Sequence, residues 1–187
     1  MSLDAVPDWV RPVGGFIAMD LDHLPDLPPH TELIDGGLVF VSPQRQFHMR
    51  LVDQLTFTLR QLTPADWRVC REMSVVLDER QRPEPDVSVV DRRVWDDGAT
   101  WYPASAVLLA AEVVSPDSQV RDRERKPQLY ARAGIKHFWR VEEDDGRAVL
   151  YVYELDPATS AYSLTGIHHG RVRLTVPFPI DLDLDAT

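Results

Sequence analysis

The clearest hydrophobic pattern along the chain is helical. Apolar residues between positions 46 and 62 recur every three or four residues: Phe47, Leu51, Leu55, Leu59 and Leu62. This spacing predicts an amphipathic helix whose apolar face packs against the core.

Shorter apolar runs predict strands. Residues 107–114 form an apolar run interrupted only by Glu112, which is typical of a strand buried on both faces at the centre of a sheet. Two apolar runs on either side of Asp35-Gly36-Gly37 predict a β-hairpin over residues 31–41. Further strands are predicted at residues 67–77, 86–90, 137–141, 149–155, 162–165 and 180–184, with a polar loop at 91–105.

A second, charged helix is predicted over residues 121–133 and is closed by Gly134. Because proline is tolerated only in the first turn, Pro127 implies that the regular helix begins near Lys126, after a looser turn. This order of elements indicates one domain of the α/β or α+β class, with a mixed β-sheet flanked by helices. The prolines of residues 1–30 predict an N-terminal proline-rich arm, which leaves residues 31–187 as the domain.

Composition restricts the compartment and the partners. The 187 residues carry 20 basic and 30 acidic side chains, and the net charge of −10 argues against coating nucleic acid by bulk charge or binding an anionic membrane. The single cysteine, Cys70, excludes a disulfide within the chain. The N-terminus lacks a signal-peptide pattern and the longest apolar run is too short to cross a bilayer, so we expect a cytoplasmic protein.

Four residues that break the hydrophobic pattern are candidates for chemistry. Glu112 lies in the most apolar strand, where a carboxylate must be paired, protonated or bound to a metal. Asp86 begins another apolar strand; if the two strands are neighbours, a divalent cation would offset the repulsion between the carboxylates, and oxygen ligands favour Mg²⁺ or Mn²⁺. Lys126 is one of only two lysines among the 20 basic residues, and its compact ammonium suits a phosphate or an attacking water. Glu32, ahead of the hairpin turn, could face the same cleft.

Six short motifs occur in a fixed order along most of the chain: Glu-Leu-Ile-Asp-Gly at 32–36, Pro-Asp at 85–86, Glu-Val-Val-Ser-Pro at 112–116, Asp-Arg-x-x-Lys at 122–126, Leu-Tyr-Ala-Arg-Ala-Gly-Ile at 129–135 and Phe-Trp-Arg-Val at 138–141. In this order and spacing they resemble the Uma-two family of endonucleases, a branch of the PD-(D/E)XK phosphodiesterase superfamily. The resemblance implies a restriction-endonuclease-like core and a metal-dependent endonuclease that hydrolyses DNA.

The resemblance also implies a site. Asp86, Glu112 and the backbone carbonyl of Val113 would hold Mg²⁺ or Mn²⁺. The lysine position of the superfamily falls on Val114, so Lys126 on the following helix would take its place. Glu32 would support the metal or a water.

Simpler roles stay open for the same residues: a buried acid paired with an arginine for Glu112, a turn cap for Asp86, a solvated helix residue for Lys126 and a surface acid for Glu32. Three further predictions concern isolated residues. His48 could line the cleft, Tyr130 and Trp139 are predicted to be core or interface aromatics, and His168-His169 is predicted to lie in a loop.

Partners are also predicted from the pattern. Arg121, Arg123 and Arg125 are the best candidates for contacts with DNA phosphates, although acidic residues interleave them and charged runs are usually solvated faces. The alternative to an endonuclease is a non-catalytic module for binding or assembly. A third possibility is a structural homodimer with a vestigial cleft, whose interface would be formed by exposed aromatic residues on edge strands: Trp139, Tyr151 and Tyr153.

Overall fold

Strands and two α-helices alternate along residues 14–186, the part of the chain that a computed structural model describes. The helices are α1 (Gln46–Leu62) and α2 (Lys126–Arg132). The strands are β1 (Glu32–Ile34), β2 (Gly37–Val39), β3 (Trp67–Arg71), β4 (Ser74–Val76), β5 (Val87–Asp91), β6 (Trp101–Pro103), β7 (Val107–Val113), β8 (His137–Asp144), β9 (Arg147–Asp156), β10 (Ala161–His169), β11 (Arg171–Leu174) and β12 (Ile180–Asp183).

Six strands form one mixed sheet in the order β10-β9-β8-β7-β5-β3. β7 and β8 run parallel, and every other neighbouring pair in this sheet is antiparallel. β7 therefore lies inside the sheet, between β5 and β8, as its continuous apolar run predicts. The mixed sheet and its flanking helices confirm the predicted α/β class.

The two helices cover opposite faces of the sheet. α1 begins and ends at the predicted residues, and its Leu51, Leu55 and Leu59 are buried against β5, β7 and β8. On the other face, Tyr130 of α2 packs with Phe138 in a second apolar cluster. Burial of each large apolar side chain contributes about 1.5–3 kcal/mol, so these two layers fix the position of both helices relative to the sheet.

A π-helical turn over Arg121–Arg125 leads into α2. The amide of Lys126 donates to the carbonyl of Arg121, five residues back. Pro127 explains the wider turn, because it has no amide hydrogen and its ring would clash with the carbonyl four residues earlier in a regular helix. The regular helix therefore begins at Lys126, as predicted, and Gly134 follows it with a φ of 81°.

The structure corrects the prediction of one strand over residues 67–77. Glu72, with a φ of 49°, divides it into β3 and β4. β4 pairs in parallel with β6, which lies in the segment predicted to be a polar loop. An alternating apolar pattern continues across the break, which is why the sequence did not reveal it.

Two further predictions are wrong. Trp139 is fully buried on β8, an inner strand, so it is a core aromatic and not an exposed edge residue; Tyr151 and Tyr153 lie on β9, which is not an edge strand either. The three aromatic residues therefore do not form an exposed edge. His168 and His169 belong to β10 rather than to a loop.

Part of the predicted N-terminal arm lies within the described residues. A 3-10 helix, Ala18–Asp22, contacts the body of the protein through the Arg82 guanidinium, which donates to both carboxylate oxygens of Asp22 at 2.9 and 2.8 Å. The boundary at residue 30 stays a prediction, and residues 1–13 lie outside the described part. In residues 14–186, every helix is too short or too polar to cross a membrane.

Candidate active site

A cavity of about 480 Å³ opens beside the start of β5 and the end of β7, and all four candidate residues line it. β5 and β7 are antiparallel neighbours with Val87 opposite Ala111, so Asp86 and Glu112 leave the two strands side by side. The expected convergence of the two acids is therefore confirmed. β1 brings Glu32 and the segment around α2 brings Lys126.

Acidic side chains outnumber basic ones around the cavity. Two histidines also line it, His30 and His48. The six acids are Glu32, Glu72, Glu84, Asp86, Glu112 and Asp122, and the three bases are Arg71, Arg121 and Lys126. With neutral histidines, six negative and three positive charges leave a formal charge of −3.

The Lys126 ammonium is at the centre of the buried part of this cluster. Its Nζ lies 2.8 Å from Glu32 Oε1, 3.0 Å from Glu112 Oε2 and 3.5 Å from Asp122 Oδ1. All four side chains are at most 5% exposed. One buried ammonium therefore faces three buried carboxylates. Lys126 is not a solvated helix residue, and Glu112 is paired with a lysine rather than with an arginine.

The charges of this cluster shift one another's pKa. Burial raises the pKa of the Glu112 carboxyl well above its ordinary value, and the attraction of Lys126 offsets only part of that rise. Burial likewise raises the pKa of Asp122. Burial also disfavours the charged form of Lys126, yet the surrounding carboxylates outweigh it and hold the pKa of Lys126 well above its ordinary value. Lys126 is thus a stable cation in a cluster that lacks positive charge.

Tyr130 fixes the second oxygen of Glu112. Its hydroxyl donates to Glu112 Oε1 at 2.6 Å, while Lys126 donates to Oε2. Tyr130 is one turn beyond Lys126, so the same helix presents both donors to the same carboxylate. Tyr130 is therefore the core aromatic that the sequence predicts, with a polar contact that the sequence did not reveal.

Asp86 is also held from two sides. The Val113 amide donates to Asp86 Oδ2 at 2.6 Å, and His48 Nε2 on α1 lies 3.1 Å from Oδ1. Burial opposes a charged imidazole, but the contact with Asp86 raises the pKa of His48 overall. His48 thus lines the cavity as predicted, and Asp86 acts as more than a turn cap.

Two buried carboxylate oxygens in the cavity have no hydrogen-bond partner among the described residues, Glu32 Oε2 and Asp122 Oδ1. The other oxygen of Glu32, Oε1, accepts a hydrogen bond from the Glu84 backbone amide at 2.8 Å and forms the ion pair with Lys126. Arg121 Nε is 4.0 Å from Glu32 Oε2, too far for a hydrogen bond. These oxygens and the excess negative charge suit a cation with oxygen ligands.

The residues implied by the resemblance fit a divalent cation in donor type. Asp86 and Glu112 supply carboxylates, and the Val113 peptide is fixed beside them by its hydrogen bond to Asp86. Across residues 14–186, no group of three or more His, Cys, Asp or Glu side chains could hold a metal ion by side chains alone. A set of two carboxylates and one backbone carbonyl does not need such a group.

The three arginines predicted to contact DNA have carboxylate neighbours. Arg123 forms an ion pair with Glu142 and Arg125 one with Asp35, while Arg121 is directed towards Glu32. Their charges are therefore partly neutralised within the protein.

Sequence reasoning missed Asp122 as a member of the site. The sequence pattern places Asp122 among the acids of a solvated charged run, yet it is 2% exposed beneath Lys126. Its spacing of four residues from Lys126 was the available signal, since residues four apart face the same side of a helix.

Solved structures resemble this fold at low sequence identity. A structure described as that of a putative nuclease belonging to DUF820 from Anabaena variabilis is 16% identical, with a TM-score of 0.69 over 89% of this chain and 90% of that one. NucC of E. coli MS115-1 in its apo form is 13% identical, with a TM-score of 0.39 over 66% of this chain and 79% of that one.

No curated protein shows significant similarity to the chain. The model of the Uma2 family, described as "Putative restriction endonuclease", matches residues 19–187. This is the Uma-two family that the six motifs resemble. The match covers most of the chain, and the chain therefore belongs to the Uma2 family.

Proposed function

We propose that the protein is a metal-dependent endonuclease that hydrolyses DNA phosphodiester bonds. The observation that carries the proposal is the charge of the cavity, in which three buried carboxylates share one buried ammonium. Folding such a cluster is costly unless another cation or protons complete it. Membership of a nuclease-like family favours a cation.

Asp86, Glu112 and the Val113 carbonyl are the proposed ligands of Mg²⁺ or Mn²⁺. When bound, the ion would polarise a phosphodiester oxygen and lower the pKa of a coordinated water. The protein contributes orientation: His48 and the Val113 amide hold the Asp86 carboxylate, and Tyr130 holds Glu112. Carboxylates held in this way lose little further freedom when a ligand binds.

Lys126 is the proposed donor to the reacting phosphate. Its high pKa keeps it protonated, so it would orient the nucleophile or stabilise negative charge in the transition state rather than act as a base. Its three donors now face three carboxylates, and at least one of these contacts must be exchanged when a phosphate approaches. We propose that Glu32 keeps its contact with the Lys126 ammonium during this exchange.

The proposal is tested with Asp86→Asn, Glu112→Gln and Lys126→Arg on plasmid and single-stranded DNA with Mg²⁺ or Mn²⁺. We expect each variant to lose at least about 100-fold in cleavage rate, because each changes a ligand or a compact charge at the reacting atoms. Glu143→Gln, at an exposed acid on β8, is the matched control.

Calorimetric titration with Mn²⁺ in the absence of DNA provides a second measurement. Wild type and Glu143→Gln should bind the ion, and Asp86→Asn should not. Equal cleavage by all proteins would indicate a contaminant and contradict the proposal. A folded wild-type protein that neither binds Mn²⁺ nor cleaves DNA would instead be the non-catalytic module.

A further inference from the structure

A second cavity, of about 550 Å³, lies across the Arg121–Arg132 segment from the proposed active site. Lys126, Asp122 and Arg121 face the active-site cavity, whereas Arg123, Pro127 and Arg132 face the second one. We call the second cavity the arginine groove and define it by Arg123, Arg132 and Arg140, with Gln128 and Tyr153 beside them.

The charge of the arginine groove is opposite to that of the protein. Its lining contains three arginines and one acid, Glu124, so three minus one gives a formal charge of +2. Glu142, which forms ion pairs with Arg123 and Arg140, reduces the local charge to +1 when it is included. The whole chain carries −10 and the active-site cavity −3.

Two of the arginines in the groove are held in place by neighbouring side chains. Glu142 is 8% exposed, and its carboxylate holds two of the three guanidinium groups in place. Arg140 Nε lies 2.6 Å from Glu142, and the Arg140 guanidinium is stacked 4.6 Å from the centre of the Tyr151 ring. A guanidinium fixed in this way loses less freedom on binding an anion than a free one does.

The groove is also close to the proposed reacting centre. In the parallel pairing of β7 and β8, Arg140 is the register partner of Glu112, so one strand spacing of about 5 Å separates the two backbones. A DNA strand carries one phosphate per about 3.4 Å of helix axis. The Arg121–Arg132 segment lies between the two cavities, so a strand with one phosphate in the active-site cavity would cross a helix about 10 Å wide and place a phosphate a few nucleotides further along in the groove.

We propose that the arginine groove binds the phosphodiester backbone of the nucleic acid beside the phosphate that is cleaved. The inference rests on the proposed function and adds the surface that positions the substrate. Arg132, which is exposed, would contact a phosphate directly, and Arg140 would offer the edge of its stacked guanidinium. The net charge of −10 of the chain opposes contact with phosphates where no local excess of positive charge offsets it.

The test measures DNA binding separately from cleavage. Fluorescence anisotropy of labelled single- and double-stranded oligonucleotides is recorded over a range of salt concentrations, with EDTA and again with Ca²⁺. The variants are Arg132→Ala and Arg140→Gln, and the control is Arg147→Ala, at an exposed arginine in the β8–β9 hairpin. Thermal unfolding tests whether each variant folds. If Arg140→Gln does not fold, Arg132→Ala alone tests the groove.

We expect each groove variant to weaken binding by about tenfold and to reduce the slope of log affinity against log salt by about one. The control should match wild type. Unchanged affinity and slope in the groove variants, with wild-type cleavage intact, would overturn the groove but leave the proposed function standing. If wild type neither binds nor cleaves DNA, both proposals fail. If the groove binds acidic peptides and no DNA, the groove proposal fails.

Discussion

Replacement of Lys126 by methionine tests the charge balance of the buried cluster. The variant removes the ammonium but keeps a side chain of similar length, so three carboxylates at 2.8, 3.0 and 3.5 Å lose their shared partner. At an effective dielectric constant of 20, each contact corresponds to about 5–6 kcal/mol of attraction. Desolvation and repulsion among the acids cancel most of this, so the expected net loss is about 3–5 kcal/mol.

The assay is thermal unfolding followed by circular dichroism. For a chain of this length the loss corresponds to a Tm lower by about 6–20 °C near pH 7. Lys136→Met removes the other lysine of the chain, which is exposed, and should leave Tm almost unchanged. Asp122→Asn in the Lys126→Met background should restore part of the loss, because one uncompensated charge is removed.

The sign of the pH dependence gives an independent check. Burial raises the pKa of Glu112 and Asp122, and Lys126 offsets part of that rise. Without Lys126, the pKa of these two carboxyls lies further above the unfolded-state value, so the folded state binds more protons than the unfolded state. Stability then rises as the pH falls, and the deficit should shrink between about pH 7 and about pH 5. A penalty below about 1 kcal/mol, or one that is the same at both pH values, would refute the reasoning.

Three other substitutions or reactions have defined outcomes. Tyr130→Phe removes the hydrogen bond to buried Glu112, and chemical denaturation should show a loss of about 1–3 kcal/mol. Cys70 is buried, and burial raises its pKa to about 11, so iodoacetamide should modify it only after unfolding, as mass spectrometry would show. Arg82→Met should destabilise the protein by about 3 kcal/mol and expose the segment around Asp22 to limited proteolysis. If the protease cuts the variant at the same rate as wild type, Arg82 does not anchor this segment.

The sequence predicted the elements with strong periodicity and the acids that interrupt it. The helix over residues 46–62 and the inner strand β7 are regular, and a carboxylate in such a strand is conspicuous. The start of α2 was also predictable, because Pro127 limits where a regular helix can begin.

Residues whose burial depends on long-range pairing were not predictable. The sequence allows either a core or an exposed-edge position for Trp139, because its own segment does not reveal that β9 and β10 extend the sheet beyond it. The charged run around Asp122 is typical of a solvated helix face, and only the position of β1 and β7 beneath the helix shows that Asp122 is buried. Glu142 escaped notice because its partners come from two different elements.

The π-helical turn at Arg121–Arg125 also has a consequence for how chain length can vary at this position. Such a turn corresponds to one residue inserted into a regular helix, and one residue of an α-helix accounts for about 100° of rotation. Deletion of Glu124 would therefore rotate Asp122 away from the cluster while α2 kept its place. It would also bring the ring of Pro127 against the helix backbone, so the extra residue and the proline should be gained or lost together in evolution.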